Sequence, residues 1–470
     1  MAAAQFQFIA CQTPSAVKDR SNHRLARSHG ARHSFMEKRR KLEQLQENFR
    51  LVTEQQIQQQ SSKSRRTPAA LPTPARSTPS PTTTIQPSVL DPFDSLAVDC
   101  SKLQVLLEHP SARQATEPVF SISDRLSFQS FRSVFRTGLD DPAATNALML
   151  SLLFAANEGK VDTEFLACKN QAIQHINNKI ACPLENSIEA TIGSILLLIG
   201  VESRLGVRSH VQIHLQGILQ LLGFCNSRQI YLCDGIKRAI FWQDLNAALT
   251  TGTERILSHG IFPELEWRRD PFCFSLYTLP AGFGIHSELF PEELIEILED
   301  IHALQQIRSL TDMHGDAVSV QQLDNQQAWI ESRLYYCYRA TDRTDFVLLG
   351  CVMAAYLCTY MLFAEIWGGQ WIPSFCSSQL LRALQLTENS SYWDGHEDLL
   401  VWLLVTGGAF AQPAFNRSEY TVLLHGSHHA GIAPFLSSWP DVQDILQNFI
   451  WSERLFSARG KAFWEACCIF

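Results

Sequence analysis

The sequence predicts an all-α protein: a large irregular helical domain preceded by a basic, partly helical arm and a disordered linker. Three observations predict this fold class. From residue 90 onward, apolar side chains recur with helical periodicity, and strand signals are few and scattered. Residues 55–89 are dense in proline, serine and threonine, and residues 1–54 are rich in lysine and arginine. We therefore expect an arm at 1–54, a linker at 55–89 and a helical domain at 90–470.

Charge sets the arm apart from the rest of the chain. Residues 1–80 carry 14 Lys and Arg against 5 Asp and Glu, a net charge of +9, and the remaining residues carry −17. A basic arm on an acidic body is typical of chains that contact nucleic acid or a nuclear import receptor. Contact with the acidic body, or a solvated tail without a partner, are the alternatives.

Two compact basic runs are candidate nuclear localisation signals. Their residues are Lys38, Arg39, Arg40, Lys41, Lys63, Arg65 and Arg66. A basic-zipper helix is not supported, because the positions three and eight after Asn22, where a small residue and an arginine are needed, hold Leu25 and Gly30. A basic helix face in solvent is the alternative interpretation of the first run, and direct nucleic-acid contact by the arm stays open.

The linker is predicted from its proline content. Seven prolines fall between Pro68 and Pro92, among many serines and threonines. Such a segment cannot bury enough apolar surface to offset the entropy lost on ordering. We therefore expect residues 55–89 to be disordered.

The domain after the linker is predicted to consist of helices in close succession. Prolines and acidic residues at first turns mark several helix starts, as in Pro291-Glu292-Glu293 and Asp141-Pro142. The predicted helices are 97–110, 143–156, 163–180, 185–204, 209–223, 234–250, 291–309, 324–340, 345–366, 378–387, 395–411 and 440–457. No repeat of fixed period is evident, so a regular solenoid is not expected.

One uncharged run raises the question of a membrane. Residues Phe346–Ala364 carry no charge, and this length is close to what a bilayer requires. A helix that is apolar all round is equally suited to the core of a large protein. The neighbouring candidate helices at 324–340 and 395–411 each need an apolar surface to cover. We therefore predict a central buried helix and no membrane contact, with a single span as the alternative.

The thirteen cysteines are scattered, and no C-x-x-C pair occurs. The N-terminal residues show no basic segment followed by a long apolar one, as a secretory signal has. Both features favour reduced thiols in the cytosol or nucleus over secretion.

Signatures of the common enzyme classes are missing. The sequence contains no G-x-S-x-G, P-loop or H-E-x-x-H motif. We therefore predict no catalytic residue, no cofactor and no metal site. A helical enzyme of unknown reaction is the alternative.

Several isolated residues of types that occur in catalytic or metal sites are expected to have structural roles. The lone G-x-G at Ala281–Gly284 lacks a preceding strand, and Asp244 is expected to cap the helix or to pair with Arg238 or Lys237. His214 is expected at the edge of the core. The histidines of the segment LHGSHHAG, which are His425, His428 and His429, are interpreted as a loop rather than as metal ligands.

Motifs along nearly the whole chain resemble one protein family. The order of the motifs, more than any one of them, carries the resemblance. They are Phe6–Ile9, Lys18-Asp19, Arg27-Ser28-His29 with Arg32, Leu90–Leu96 (LDPFDSL), Thr191–Gly206 (TIGSILLLIGVESRLG), Val211–Gly223 (VQIHLQGILQLLG), Arg238–Gly252 (RAIFWQDLNAALTTG) and Leu399–Ala411 (LLVWLLVTGGAFA). The chain thereby resembles the fungal-specific transcription factor domain family, of the type also labelled tachykinin family.

The resemblance implies a nuclear protein that regulates transcription, for example of a metabolic gene cluster, through a helical domain that binds protein partners or a small-molecule effector. One departure from the wider regulator class is clear. A Zn₂Cys₆ cluster needs six cysteines within a short segment, and the first hundred residues hold only Cys11 and Cys100. The chain is therefore expected to lack its own zinc-cluster DNA-binding domain and to need a DNA-binding partner.

Overall fold

The computed structural model describes residues 98–109, 141–181, 187–270, 274–310, 317–364, 371–388, 391–411, 414–426 and 428–468. The predicted arm, the predicted linker and both basic runs lie outside these residues. Within them every regular element is a helix and no strand occurs, which confirms the all-α fold class.

The first six helices form a group around α4. Their bounds are α1 (Cys100–Glu108), α2 (Pro142–Ala156), α3 (Thr163–Ala181), α4 (Ile188–Arg204), α5 (Arg208–Arg228) and α6 (Asp234–Thr251). Helices α2, α3, α5 and α6 all contact α4. Because α4 is covered on so many sides, nearly all of its residues are buried, including Glu202. The Glu202 carboxylate pairs with Lys169 of α3 and with His210 Nδ1 of α5 at 3.2 Å, so the buried charge is compensated.

The later helices form a second group around α10 and α12. Their bounds are α7 (Ala281–Ile285), α8 (Glu292–Leu310), α9 (Ala317–Ala340), α10 (Phe346–Met361), α11 (Trp371–Thr387), α12 (Glu397–Phe410), α13 (Ala414–Leu424), α14 (His429–Ile432), α15 (Trp439–Leu446) and α16 (Glu453–Cys467). Short 3-10 helices lie between them at His259–Ile261, Pro263–Leu265, Phe274–Leu276, Ser287–Leu289, Ser391–Trp393 and Ala433–Leu436. Helix α6 contacts α9 and α11 and so joins the two groups.

Helix α10 is the predicted central helix. Helices α8, α9, α11 and α12 pack around it, and every residue from Gly350 to Met361 is buried. The two neighbours predicted to cover it, at 324–340 and 395–411, are α9 and α12, and both contact it. None of the described helices is both long enough and apolar enough to cross a membrane. The uncharged run is therefore a core helix.

Both ends of α10 are fixed by polar contacts. The Asp345 side chain accepts a hydrogen bond from the Leu348 N–H at 3.0 Å and caps the start. At the other end the buried Arg308 of α8 donates from Nε to the Leu362 carbonyl at 3.1 Å. A cation at a helix C-terminus satisfies free carbonyls and complements the helix dipole. The helix accordingly ends at Met361, so the predicted end at residue 366 was wrong.

One other predicted helix start is corrected, and one helix was missed. Helix α11 begins at Trp371 rather than at residue 378, with Pro373 in its first turn, where a missing N–H costs no hydrogen bond. Helix α13 (Ala414–Leu424) was not predicted at all.

The predicted helix at 440–457 is in fact two helices, α15 and α16, separated by residues 447–452. Groups distant in sequence bind the carbonyls that the break leaves free. The Gly282 N–H donates to Asn448 O at 2.7 Å. Trp402 Nε1 donates to Ile450 O at 3.0 Å, and Gln305 Nε2 donates to Trp451 O at 2.8 Å. These tertiary contacts stabilise the break, together with the Ser452 side chain, which caps the start of α16 by accepting a hydrogen bond from the Leu455 N–H.

Candidate functional site

A groove of about 430 Å³ lies beside the segment that connects α6 to α7. Helix α6 ends at Thr251, where Gly252 adopts a left-handed conformation with φ of 68° and turns the chain. The 3-10 helix Pro263–Leu265 then packs against α9. Residues 266–270 follow without regular structure and line the groove together with residues of α8 and α9.

An ion network fixes the wall of the groove. Asp300 of α8 is only 1% exposed, and its two carboxylate oxygens accept hydrogen bonds from Arg269 Nε at 2.7 Å and from Arg333 Nη1 at 3.2 Å. Arg269 Nη1 also reaches Glu299 at 3.0 Å, and Arg333 Nη2 reaches Glu296 at 2.8 Å. Because each guanidinium is held at two or more points, both are fixed in orientation.

Burial controls the ionisation of the central carboxyl group. It raises the pKa of Asp300 to about 6, although Arg269 and Arg333 favour the charged form. At neutral pH the carboxylate is therefore ionised and neutralises much of the guanidinium charge behind the groove.

Aromatic rings supply the apolar surface of this region. Trp267 and Trp329 line the groove from the 266–270 segment and from α9. The Trp267 ring lies 6.2 Å from that of Tyr277 between centroids. The Arg269 guanidinium lies 5.1 Å from the Tyr277 ring, and that of Arg333 lies 6.0 Å from the Trp329 ring. Such cation–π pairs present flat surfaces that are both apolar and positively charged.

These side chains are suited to binding. The residues described as lining the groove comprise tryptophans, arginines, acids and one glycine, and include no serine, cysteine or histidine. The volume falls within the range of small-molecule sites. The arrangement can therefore hold a small planar molecule between rings and guanidinium groups.

Helix α9 also carries a buried polar face, which is separate from its groove-lining residues Trp329 and Arg333. Asp324, Gln327 and Glu331 are spaced three and four residues apart, so they share one face of the helix, and all three are buried. Asp324 forms a buried ion pair with Arg238 of α6, and Arg238 Nη2 also donates to Asn325 Oδ1 at 2.6 Å. This face links the two groups of helices by polar contacts in an otherwise apolar core.

Glu331 is the most strongly perturbed group on this face. Its side chain is fully buried, and burial raises its pKa to about 8, although hydrogen bonds from Gln327 and Tyr356 favour the ionised form. Gln327 Nε2 donates to its Oε1 at 2.7 Å. Glu331 is therefore predominantly protonated at neutral pH. Burial beside Glu331 also raises the pKa of Tyr356 well above its ordinary value.

Asp244 has a structural role, with different partners from those predicted. Its carboxylate accepts hydrogen bonds from Arg255 Nε at 3.1 Å and from the Ile256 and Leu257 N–H groups at 2.8 and 3.3 Å. The predicted pairing with Arg238 or Lys237 was wrong. The turn after α6 folds Arg255 back onto Asp244, a tertiary contact that helical spacing does not reveal.

A second polar cluster joins α7 to α12. The buried ring of His286 lies between two partners: its Nε2 is 2.7 Å from Asp398 Oδ1, and its Nδ1 is 2.8 Å from His396 Nδ1. The lone G-x-G before it has a packing role, because a Cβ on Gly282 would meet the Phe449 ring at 2.7 Å.

Two of the other histidines, His214 and His425, contact neighbouring groups of the helical body. His214 is half-buried at the edge of the core, and burial lowers its pKa to about 4, so its imidazole is neutral at physiological pH. His425 Nε2 lies 3.1 Å from Cys467 O. Across the described part of the chain, no group of three His, Cys, Asp or Glu side chains is placed to hold a metal ion.

The groove residues were missed at the level of sequence, although two signals were present. One is the dense mixture of charge and tryptophan in Glu266–Asp270. The other is the pair Trp329 and Arg333, which are four apart and therefore adjacent on a helix face. Neither pattern has a named motif. The candidate localisation residues lie outside the described residues, so the structure does not relate them to the groove.

Comparison of the chain with protein-family models, with curated proteins and with solved structures gave no match.

Proposed function

We propose that this chain is a nuclear regulator of transcription, similar to the fungal-specific transcription factor domain proteins, that acts through its helical body on protein partners or a small effector. The observation that carries the proposal is the separation of charge: +9 in residues 1–80 against −17 in the remainder. Such a separation fits a chain whose basic arm directs it to nuclear partners and whose body does not itself bind nucleic acid.

The helical body supports this role by what it offers for binding. A groove of about 430 Å³ opens at the surface, and α9, which supplies two of its lining residues, also carries a buried polar face. Polar contacts between helices favour a single arrangement of the body. A regulatory domain needs such a defined surface.

The proposal includes a DNA-binding partner. The two cysteines in the first hundred residues cannot build a Zn₂Cys₆ cluster. Occupancy of specific promoters, for example in a metabolic gene cluster, is therefore assigned to a complex rather than to this chain alone.

Nuclear entry is tested by replacing Lys38, Arg39, Arg40 and Lys41 with alanine in a fluorescent fusion. The expected result is a shift of the fusion toward the cytoplasm, because import receptors recognise compact basic runs. The matched control removes four exposed basic side chains from the body, which are Arg208, Arg228, Arg382 and Lys461. Nuclear exclusion of the unmodified protein would refute the nuclear assignment.

Chromatin association is tested by immunoprecipitation of the full chain and of a chain without residues 1–66. Enrichment at promoters that depends on residues 1–66 supports the proposal. Absence of enrichment for the full chain, in cells where the fusion is nuclear, would count against transcriptional control and leave localisation intact.

A further inference from the structure

We infer that the groove lined by Trp267, Arg268 and Trp329 is a binding site for a planar aromatic carboxylate. The inference deepens the proposed function, since such a ligand would be the effector of the regulatory body. Binding itself is a property of the folded domain and can be measured without reference to transcription.

The flat side chains that line the groove indicate a ligand with an aromatic ring. Trp267 and Trp329 are partly exposed and line the groove from different elements of the chain. The Arg333 guanidinium, held in place by Asp300 and Glu296, lies 6.0 Å from the Trp329 ring and extends this flat surface. Planar rings stack on indole and guanidinium faces, whereas puckered aliphatic rings make poorer contact with them.

The hydrogen-bonding groups of the lining indicate that the ligand carries a carboxylate. Three arginines line the groove, and the side chain of Arg268 is exposed with no hydrogen bond or ion pair to any described residue. Asp300 is only 1% exposed, and its oxygens already accept from Arg269 and Arg333. Glu266 is the remaining acid in the lining, and it lies at the exposed rim. Arg269 and Arg333 are already bound to Asp300, Glu299 and Glu296, so Arg268 supplies the guanidinium that remains for a ligand. An arginine binds a carboxylate with two parallel hydrogen bonds.

A cationic aromatic ligand fits less well. The protein's own Arg333 guanidinium lies 6.0 Å from the Trp329 ring, one of the rings that would receive a cation. An added cation would find the Trp329 face already occupied by a guanidinium, and it would meet the exposed charge of Arg268, which has no acidic partner among the described residues.

Protonation of Asp300 offers an independent readout. Burial raises its pKa to about 6, so acidification removes the charge that neutralises Arg269 and Arg333. The groups facing Asp300 are these two arginines and Glu299, with Glu296 bound to Arg333 behind them. Binding of an anion should therefore tighten as the pH falls through about 6, provided that the anion stays ionised.

The test uses the full chain and the probe naphthalene-2-carboxylate, with binding measured by titration calorimetry. The comparison compounds are cyclohexanecarboxylate, which keeps the charge without the ring, and 2-naphthylmethylamine, which keeps the ring with the opposite charge. We expect the naphthoate to bind roughly tenfold more tightly than either compound. The cyclohexane compound loses the stacking of its ring on the indole faces, and the ammonium compound loses the ion pair with Arg268.

Two variants test whether the probe binds in the groove. Arg268→Gln should weaken naphthoate binding roughly fivefold, a modest factor because an exposed ion pair contributes little free energy. Trp329→Leu should weaken it roughly tenfold or more through lost stacking. Arg382→Gln, an exposed arginine on α11, is the matched control and should leave binding unchanged. Since Arg268 is exposed, its replacement does not endanger the fold.

Three results would overturn the inference: no naphthoate binding at millimolar concentration, equal binding of the ammonium compound, or binding that Arg268→Gln leaves unchanged. If the groove does not bind the naphthoate, the tests of nuclear entry and of chromatin association keep their meaning. Conversely, a chain that binds the naphthoate but never enters the nucleus would retain the site and lose the transcriptional role.

Discussion

Replacing Glu331 with glutamine should stabilise the folded protein, and the gain should grow as the pH rises. The pKa of Glu331 is raised by burial from 4.5 to about 8, so the native state holds this proton far more tightly than the unfolded chain does. Between these two values unfolding releases a proton, so the free energy of unfolding falls as the pH rises, and above about 8 the loss is complete. Glutamine keeps the neutral form at every pH.

The magnitude follows from the width of that window. Each unit of pKa difference corresponds to about 1.36 kcal/mol. From about pH 5.5 to pH 8, the unmodified protein should lose roughly 3 kcal/mol of unfolding free energy that Glu331→Gln retains. The amide oxygen of glutamine can still accept the 2.7 Å hydrogen bond from Gln327 Nε2, so the local packing is preserved.

The assay is urea unfolding followed by circular dichroism at about pH 5.5, 6.5, 7.5 and 8.5. The control is Glu254→Gln, an exposed glutamate, whose pH dependence should match that of the unmodified protein. If Glu331→Gln also shows the same slope against pH as the unmodified protein, the carboxyl group is not held neutral, and the reasoning from burial is wrong.

Two further predictions concern the core. Asp244→Asn should lower the free energy of unfolding by about 3–5 kcal/mol, because Arg255 is then left buried without its counter-ion. Urea unfolding measures this loss of stability. A loss below about 1 kcal/mol would contradict the prediction. Gly408→Ala should destabilise the protein by about 1–3 kcal/mol, because its Cβ would overlap the Phe463 ring. Gly217→Ala, on a helix surface where no atom lies within 4 Å of the added Cβ, should instead stabilise it by about 0.5–1 kcal/mol. Thermal unfolding compares the pair, and a shift of the same sign in both would refute the packing argument.

The existence of most helices, though not of α13, could be predicted from the sequence, because helix formation depends on local periodicity. The predicted helices at 163–180 and 234–250 differ from α3 and α6 by one residue at one end. The uncharged run was also assigned correctly to the core, since its amphipathic neighbours needed an apolar surface.

Helix boundaries and polar partners were less accessible. The break between α15 and α16 is stabilised by Trp402, Gln305 and the Gly282 N–H, which come from three other parts of the chain. The helical pattern at 440–457 carries no sign of these donors, so one helix was predicted where there are two.

The sequence by itself determined the helical class, the charge separation and the central position of α10, because composition and periodicity act over short range. Tertiary structure alone decided the groove and its ion network. About thirty residues separate Arg269 from Asp300, and about as many separate Asp300 from Arg333. Nothing in the local sequence distinguishes any of the three from an ordinary exposed charged residue. Only the folded arrangement buries Asp300 between the two arginines, and burial shifts its pKa and fixes their orientation. Long-range contacts of this kind arise from the packing of whole helices, which local sequence constrains only weakly.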